Sequence, residues 1–180
     1  MPMPSRCVLD IVHYPDPVLR KKGAVVREIT PEVTARAQEM LETMYAVHGV
    51  GLAAPQVGWS AQLCVINPAP DDRSHEMVCV NPILAEVEGE EVADEGCLSF
   101  PDLRGNVMRF AKVTCRWYDL DGHRMEMAAE GLMARIFQHE IDHLNGRLII
   151  DRMTPASRLS AQGRLKEFER EFRERSKSVV

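Results

Sequence analysis

The segment HEIDH, residues 139–143, constrains the fold of this chain more than any other part of its sequence. It lies inside residues 131–145, whose pattern predicts a helix that the following glycine can close. Successive helical residues turn by about 100°, so His139 and His143 share one face and can bind a single metal ion. Glu140 lies beside that face, where its carboxylate can exchange a proton with a water on the metal. The fold must therefore bring a further ligand to this helix.

Two histidines do not complete a catalytic metal site, because such sites usually combine three protein ligands with one open position. Cys97 is the best third candidate in the sequence. Its segment EGCLSFP is typical of a loop, and a thiolate is a strong ligand for a borderline metal. The remaining cysteines have strand-like or apolar neighbours and are expected to be structural: Cys7, Cys64, Cys79 and Cys115.

Two other interpretations of HEIDH remain open at this point. The first is a zinc endopeptidase. In one class of these enzymes the third ligand would be a histidine at position 149, which here is Ile149. In another class it would be a downstream glutamate, and Glu167 has a suitable spacing, although it lies in a charge-rich segment where glutamate is common. The second is a structural metal site without catalysis, which would need four protein ligands, and no fourth is evident.

The hydrophobic periodicity predicts an α+β fold, with short, mostly antiparallel strands packed around a central metal-binding helix. An N-terminal helix is expected over residues 30–48, with Thr30 as its cap and Gly49 ending it in a left-handed conformation. Five strands are expected between these two helices: residues 62–66, 77–80, 84–92, 111–118 and 124–128.

A C-terminal helix is expected to follow the metal-binding helix, over about residues 155–176. A thin apolar stripe runs along it: Leu159, Leu165, Phe168 and Phe172. The chain has 180 residues, which is about the length of one domain. We therefore expect residues 1–180 to form a single domain, with residues 155–180 as its C-terminal helical part.

The charge balance and the hydropathy argue against several classes of function. The net charge is −5 at pH 7, so a basic surface for DNA is not expected. No run approaches the roughly 20 apolar residues of a membrane-spanning helix, and the N-terminus lacks the pattern of a signal or transit peptide. We therefore expect a cytoplasmic protein that binds neither DNA nor a membrane. Residues 155–180 depart from the average, since they hold seven Lys or Arg and four Glu.

The chain carries three short motifs in a fixed order: GVGLAAPQ at 49–56, EGCLS at 95–99 and QHEIDHLNG at 138–146. In this order and spacing they resemble the motifs of bacterial-type peptide deformylases, and the similarity extends from HYPDPVLR near the N-terminus through the last motif. The resemblance implies hydrolysis of the N-formyl group from the N-terminal formylmethionine of newly synthesised polypeptides, with release of formate. It also implies one divalent metal ion per chain, usually Fe(II), although Zn, Ni or Co can occupy such a site.

The resemblance further assigns roles to residues of the three motifs. It implies that Cys97, His139 and His143 bind the metal. It implies that Glu140 is the general base and then the acid that protonates the leaving amine. The developing oxyanion would receive hydrogen bonds from the side chain of Gln56 and from the backbone N–H of Leu98.

The same comparison implies where a peptide substrate binds. Gly51 would form part of a backbone edge with which an N-formylmethionyl peptide pairs in strand fashion. The methionine side chain needs an apolar pocket, and corresponding positions imply that four residues form part of its wall: Val50, Leu132, Ile136 and His139. Val50 and Ile136 can equally be ordinary core residues.

Two arginines near the cysteine motif have an expected structural role. Arg104 and Arg109 follow that motif, and we expect one of them to brace the metal loop against the helix by pairing with Glu95 or Asp142.

In some bacterial members of the family the C-terminal helix docks on the ribosome. The resemblance therefore allows a ribosome contact through RNA phosphates, although a solvated amphipathic helix explains the same pattern: Arg164, Arg170 and Arg173.

Overall fold

The computed structural model describes residues 8–177, which form three α-helices and seven β-strands. Cys7 and the last three residues of the predicted C-terminal part lie outside the described residues. The helices are α1 (Pro31–Ala46), α2 (Gly131–Leu144) and α3 (Pro155–Lys177). The strands are β1 (Gly51–Ala53), β2 (Leu63–Ile66), β3 (Met77–Glu88), β4 (Glu91–Cys97), β5 (Phe100–Arg109), β6 (Lys112–Tyr118) and β7 (Arg124–Glu130).

Five strands form one sheet in the order β1-β2-β3-β6-β7, and β4 pairs with β5 in a separate two-stranded hairpin. Every pairing between these strands is antiparallel. The predicted α+β class is confirmed, with an N-terminal helix and a C-terminal helix on either side of a central one. Between residues 8 and 177, none of the helices has the length and apolar character needed to cross a bilayer.

Helix α2 packs across the five-stranded sheet and is itself almost entirely buried. Phe137 is completely buried, and its ring centroid lies 5.6 Å from that of Trp117 on β6. The side chains of the sheet that meet the helix include Cys64, Cys79 and Cys115, each with no exposed surface. Their predicted structural role is confirmed. The same packing brings α2 into contact with β1, the edge strand of the sheet.

Helix α1 begins as predicted but ends earlier. The Thr30 hydroxyl accepts a hydrogen bond from the backbone N–H of Val33 at 3.4 Å, as an N-cap does. The helix ends at Ala46, and the left-handed residue is His48, at φ 55°, instead of Gly49. Gly49 lies close to Leu98 instead, because a Cβ at this position would be 3.1 Å from Cδ1 of that side chain.

The predicted break between strands 77–80 and 84–92 is wrong, because β3 runs continuously from Met77 to Glu88. The predicted end at residue 92 is also wrong, because β3 ends at Glu88 and β4 begins at Glu91. The register shifts between Val80 and Ile83, and this bulge accommodates Pro82 without ending the strand. Asn81 adopts φ 52° in the bulge, and its side chain bonds both the N–H and the C=O of Val26. The other three strand predictions agree with the structure to within two residues.

Apart from residues 91 and 92, the hairpin of β4 and β5 has no counterpart in the sequence-based prediction, which placed Cys97 in a loop. Cys97 is the last residue of β4 and pairs with Phe100, the first residue of β5. The register shifts between Gly96 and Cys97, so the thiol lies at a tight turn at the end of a strand. Strand β5 does not show the regular alternation of apolar and polar residues that would have predicted it. In the structure its pleat is interrupted at Asp102, which has φ 60°.

Helix α3 buries part of the predicted stripe: Leu165 and Phe168 are buried as predicted and Phe172 is half-buried, but Leu159 is not buried. Ala161, Leu165 and Phe168 are buried, whereas Leu159 is 66% exposed. The ring of Phe168 meets the stacked rings of Tyr14 and Phe100 edge-on, with centroids 6.4 and 6.2 Å away. This aromatic cluster attaches α3 to β5 and to the N-terminal segment.

Helix α2 ends in a Schellman motif. The backbone N–H of Gly146 donates to the C=O of His143 at 3.1 Å, and that of Arg147 donates to the C=O of Asp142 at 2.9 Å. Gly146 has φ 70°, and a Cβ at this position would lie 2.4 Å from the carbonyl oxygen of Arg20. The helix end therefore needs glycine both for its backbone conformation and for its close contact.

Replacing Gly146 with alanine is expected to lower the free energy of unfolding by about 3 kcal/mol, a large value for a single substitution. Gly122 is the matched control, because it has φ 81° but no heavy atom within 4 Å of an added Cβ. Gly122→Ala should cost only the backbone strain, about 1 kcal/mol. Urea denaturation of both variants measures the difference. Equal losses of stability would show that the contact with Arg20 is unimportant.

Candidate active site

A cavity of about 660 Å³ opens between α2, the β4–β5 hairpin and the segment that leads into β1. Residues of all three sequence motifs line it, together with Ile11 and His13 from the N-terminal segment. The structure thus brings together motifs that are far apart in the chain. Nine of the predicted site residues line the cavity: Val50, Gly51, Gln56, Cys97, Leu98, Leu132, Ile136, His139 and Glu140.

Three soft or borderline donors meet beside the cavity, and two of them, Cys97 and His139, line it. The Cys97 Sγ lies 3.2 Å from the Nε2 of His143, and this Nε2 lies 3.2 Å from the Nε2 of His139. Each donor lies within 4.8 Å of the other two, and within residues 8–177 no fourth ligand belongs to this group. One thiol and two imidazoles suit Fe(II), Zn or a related divalent metal. Such a set leaves at least one coordination position open.

Hydrogen bonds distinguish the pKa values of the two imidazoles, His139 and His143. Burial lowers the pKa of His143 well below its usual value, and the positive charges of His139 and Arg109 lower it further. Burial acts in the same direction on His139, but hydrogen bonds with Cys97 and Glu95 outweigh it and raise the pKa of that imidazole. The Nδ1 of His143 is buried and has no hydrogen-bond partner. A neutral His143 keeps a lone pair available for a metal.

Glu95 orients His139. Its Oε2 lies 3.1 Å from the Nδ1 of His139, and the carboxylate is almost completely buried. With Nδ1–H directed at Glu95, the Nε2 of His139 is the nitrogen that faces Cys97 and His143. Carboxylates commonly orient metal-binding histidines in this way.

Arg109 braces the hairpin against α2. Its Nε and Nη2 donate to the two oxygens of Glu95, both at 3.0 Å, and its Nη1 donates to Asp142 Oδ2 at 2.5 Å. The prediction that one of the two arginines pairs with Glu95 or Asp142 is confirmed for Arg109, which pairs with both. Arg104 instead bonds Asp94 at the surface, at 2.6 Å. Asp142 also accepts two hydrogen bonds from Arg152.

Glu140 is 3% exposed, and its Oε2 has no hydrogen-bond partner. Burial raises the pKa of this carboxyl to about 7, although His139 and Arg109 act in the opposite direction. A proton acceptor with a pKa near neutrality is suited to general acid–base catalysis. Gly51 leaves room for this carboxylate, because a Cβ at position 51 would lie 2.3 Å from Glu140 Oε1.

Gln56 is held with its amide nitrogen toward the donor cluster. Its Oε1 accepts a hydrogen bond from the backbone N–H of Ala53 at 2.9 Å. Its Nε2 donates to Ser99 Oγ at 3.2 Å and lies 3.6 Å from Cys97 Sγ. The amide is buried, so an oxygen that develops charge beside Cys97 would meet a fixed donor.

Some apolar residues of the cavity wall also pack in the hydrophobic core. Ile136 is 5% exposed and belongs to the core between α2 and the sheet, yet it also lines the cavity. Val50 packs against the same core and lines the cavity as well. Leu132 lies at the mouth and is 57% exposed. The core and pocket interpretations of Val50 and Ile136 are therefore compatible.

This combination of a Cys/His/His donor set, a buried carboxylate and an open cavity is that of a metal-dependent hydrolase built on an HExxH helix. Comparison with known proteins narrows the class. The polypeptide deformylase family model matches residues 8–159. The chain belongs to the peptide deformylase family.

Individual relatives agree with this assignment. A peptide deformylase from Syntrophobacter fumaroxidans is 47% identical over 152 residues, covering 84% of this chain and 89% of the relative. One from Endomicrobium trichonymphae is 44% identical over 158 residues, covering 88% and 94%. Among solved structures, a Legionella pneumophila peptide deformylase superposes with a TM-score of 0.85 at 40% identity over 91% of this chain and 96% of that one. Arabidopsis thaliana peptide deformylase 1B in complex with an inhibitor gives 0.89 at 39% identity, over 93% of each chain.

The structure does not favour the endopeptidase interpretation. Glu167, the ligand that it requires, lies on α3, where its Oε2 accepts a hydrogen bond from Arg164 at 3.0 Å. It is not part of the Cys/His/His donor group. Ile149 is buried in the core, at the place where the other class of endopeptidase would need a histidine. The structural-site interpretation also fails within residues 8–177, because the donor group contains three residues.

The sequence analysis did not identify two residues that hold the neighbours of the donor cluster in place, Ser99 and Arg135. Ser99 holds the amide of Gln56, and Arg135 donates to Glu95 Oε1 at 2.8 Å. A signal was present for Arg135, because it precedes His139 by four residues on the same helix and therefore shares its face. The partner of Arg135 lies 40 residues away in the chain, and no local pattern indicates it.

Proposed function

We propose that this chain removes the N-formyl group from the N-terminal formylmethionine of newly synthesised polypeptides and releases formate. It would do so as a single domain in the cytoplasm. The observation that carries the proposal is the position of Glu140, a buried carboxylate with a pKa raised to about 7, beside the Cys97, His139 and His143 cluster in an open cavity. Membership of the peptide deformylase family supports the same activity.

Cys97, His139 and His143 would together hold one divalent ion, Fe(II) in the native protein, with Zn, Ni or Co as substitutes. When bound, the ion supplies Lewis acidity toward the formyl oxygen and toward water. The thiolate of Cys97 would also make a ferrous site sensitive to oxidation, so preparation without oxygen is required.

The remaining steps belong to the side chains of this protein. Glu140 accepts a proton from the attacking water on its carboxylate and then delivers that proton to the nitrogen of the leaving amine. The Nε2–H of Gln56 and the backbone N–H of Leu98 donate hydrogen bonds to the oxygen on which negative charge develops. Because Gln56 is already fixed by Ala53 and Ser99, little reorganisation is needed when that charge appears.

Substrate selection would follow from the shape of the cavity. The backbone at Gly51 pairs with the extended peptide, and the methionine side chain lies against Val50, Leu132 and Ile136. Formyl is the smallest acyl group, and the space beside Gly51 is closed by Glu140. The site therefore excludes acetylated peptides while admitting formylated ones.

Formate release from formyl-Met-Ala-Ser, with enzyme loaded with Fe(II) in the absence of oxygen, tests the proposal. Acetyl-Met-Ala-Ser is the matched control, and mass spectrometry of the same mixtures reports internal peptide cleavage. We expect formate from the formyl peptide, no acetate from the acetyl peptide and no internal cleavage. Metal-loaded, folded protein that releases no formate would contradict the proposal.

We further propose that α3 contacts ribosomal RNA through Arg170 and Arg173, which are exposed. Arg164 is less suited, because it pairs with Glu167 and its guanidinium lies 4.4 Å from the ring centroid of Phe168. Removing the whole helix would expose the core around Leu165 and Phe168, so charge reversal of Arg170 and Arg173 together is the cleaner test. Salt-dependent binding to ribosomes should weaken in this variant. Unchanged binding would contradict the proposal.

A further inference from the structure

Arg135 is a buried cation that none of the proposed catalytic roles uses. It lies on α2, one helical turn before His139, and the residue is 8% exposed. Its Nη1 donates to Glu95 Oε1 at 2.8 Å and to the C=O of Val107 at 3.1 Å, and its Nη2 donates to the C=O of Glu91 at 3.2 Å. One side chain of the helix therefore bonds both strands of the β4–β5 hairpin.

These contacts matter because the proposed ligands come from two separate elements. Cys97 lies at the end of β4, whereas His139 and His143 lie on α2. The relative position of the thiol and the two imidazoles depends on how firmly the hairpin is held against the helix. Arg135 acts from the helix side, and Arg109 acts from the hairpin side through Asp142.

The carboxylate of Glu95 is the point at which the two arginines meet. Its Oε1 accepts from Arg109 Nε and Arg135 Nη1, and its Oε2 accepts from Arg109 Nη2 and faces His139 Nδ1. Four hydrogen bonds occupy its four main acceptor sites, so the carboxylate has one orientation available. Loss of Arg135 would leave one acceptor site of a buried charge unsatisfied, and Arg109 and His139 would then hold the carboxylate without support from the helix side.

Arg135 also lines the cavity, between Leu132 and Ile136 along the helix. Its guanidinium points to Glu95, so the aliphatic part of the side chain is what remains to form the wall. Arg135 therefore lines the pocket proposed for the methionine side chain and also bonds Glu95, the carboxylate that orients His139.

We infer that Arg135 is a positioning residue, which fixes the β4–β5 hairpin on α2 and holds Glu95 in the orientation that directs Nε2 of His139 toward Cys97. This inference rests on the proposed metal site. It extends that proposal by naming the side chain that keeps the ligands of the two elements in register.

Arg135→Met tests the inference, because methionine retains an aliphatic side chain for the cavity wall and removes every donor. Protein loaded with Co(II) is mixed with excess chelator, and the rate of metal loss is followed together with the ligand-field and thiolate-to-metal absorption bands. We expect metal loss to be about 10- to 100-fold faster, as is typical when a partner of a ligand is removed. We also expect shifted absorption bands, and a fall in kcat that exceeds the change in KM.

Two further variants make the result specific. Arg135→Lys keeps the charge and one donor group, so it should restore part of the slow metal loss and of the original spectrum. Arg116→Met removes an arginine that pairs with Glu126 at the surface, and it should behave as the unchanged protein. If Arg135→Met folds poorly, the comparison of Arg135→Lys with the unchanged protein decides the question.

Metal loss and spectra equal to those of the unchanged protein in Arg135→Met would overturn the inference, as would equally fast loss in Arg116→Met. The outcome is separate from that of the deformylation test. Unchanged protein that binds Co(II) tightly but releases no formate would overturn deformylation alone. Unchanged protein that binds no Co(II) would overturn the metal site and this inference with it.

Discussion

Replacing Glu140 with glutamine is expected to lower kcat/KM for formate release by about 10²- to 10⁴-fold, the usual contribution of a general acid–base residue. Glutamine has nearly the same shape but cannot accept the proton of the attacking water. Glu140 is not one of the three clustered donors, so the variant should keep a full equivalent of metal. Formate release and metal content measured on the same samples give the answer.

Glu167→Gln is the matched control for this experiment. Its carboxylate pairs with Arg164 on α3, so the deformylation proposal predicts unchanged metal content and unchanged formate release. An endopeptidase that used Glu167 as its third ligand would instead lose metal. Substantial activity of Glu140→Gln at full metal content would show that another group transfers the proton.

Gly51→Ala is expected to lower kcat/KM by at least about 10²-fold, the effect of displacing a reacting group by about 1 Å. The added Cβ would lie 2.3 Å from Oε1 and 2.8 Å from Cδ of Glu140. Because Glu140 is buried, its carboxylate can yield only by moving away from the place where it is needed. Steady-state kinetics with the formyl peptide measure the loss, and metal content should remain unchanged.

Gly163→Ala provides the matched comparison, since Gly163 lies in α3 and has no heavy atom within 4 Å of an added Cβ. This change should leave the kinetics unaltered and stabilise the helix by about 1 kcal/mol. Thermal unfolding of both variants separates loss of catalysis from loss of folding. Full activity of Gly51→Ala would show that Glu140 can function from a displaced position.

The features that sequence patterns predicted well are those that depend on short stretches of chain. The spacing of His139 and His143 follows from helical geometry, and the helix that carries them has nearly the predicted bounds. The family resemblance predicted that the three motifs form one site. Their spacing in the sequence alone could not predict this.

The features that patterns missed depend on contacts between distant segments. Strand β5 was missed because Asp102 and Gly105 interrupt its alternation, and β5 is stabilised instead by pairing with β4 and by contacts with α3. The continuity of β3 depends on Asn81, whose side chain bonds a residue 55 positions earlier. Neither pairing leaves a periodic signal in the sequence.

The ion pairs that join Arg109, Arg135 and Arg152 to Glu95 and Asp142 consist of protein groups alone. Arg109 and Arg135 neutralise Glu95 and Asp142 from inside the protein, whereas Arg152 approaches Asp142 from the surface with its side chain 39% exposed. Because these contacts need no ion, we expect this protein to fold before the proposed metal is inserted. In this respect it differs from small domains whose chains collapse only around their metal.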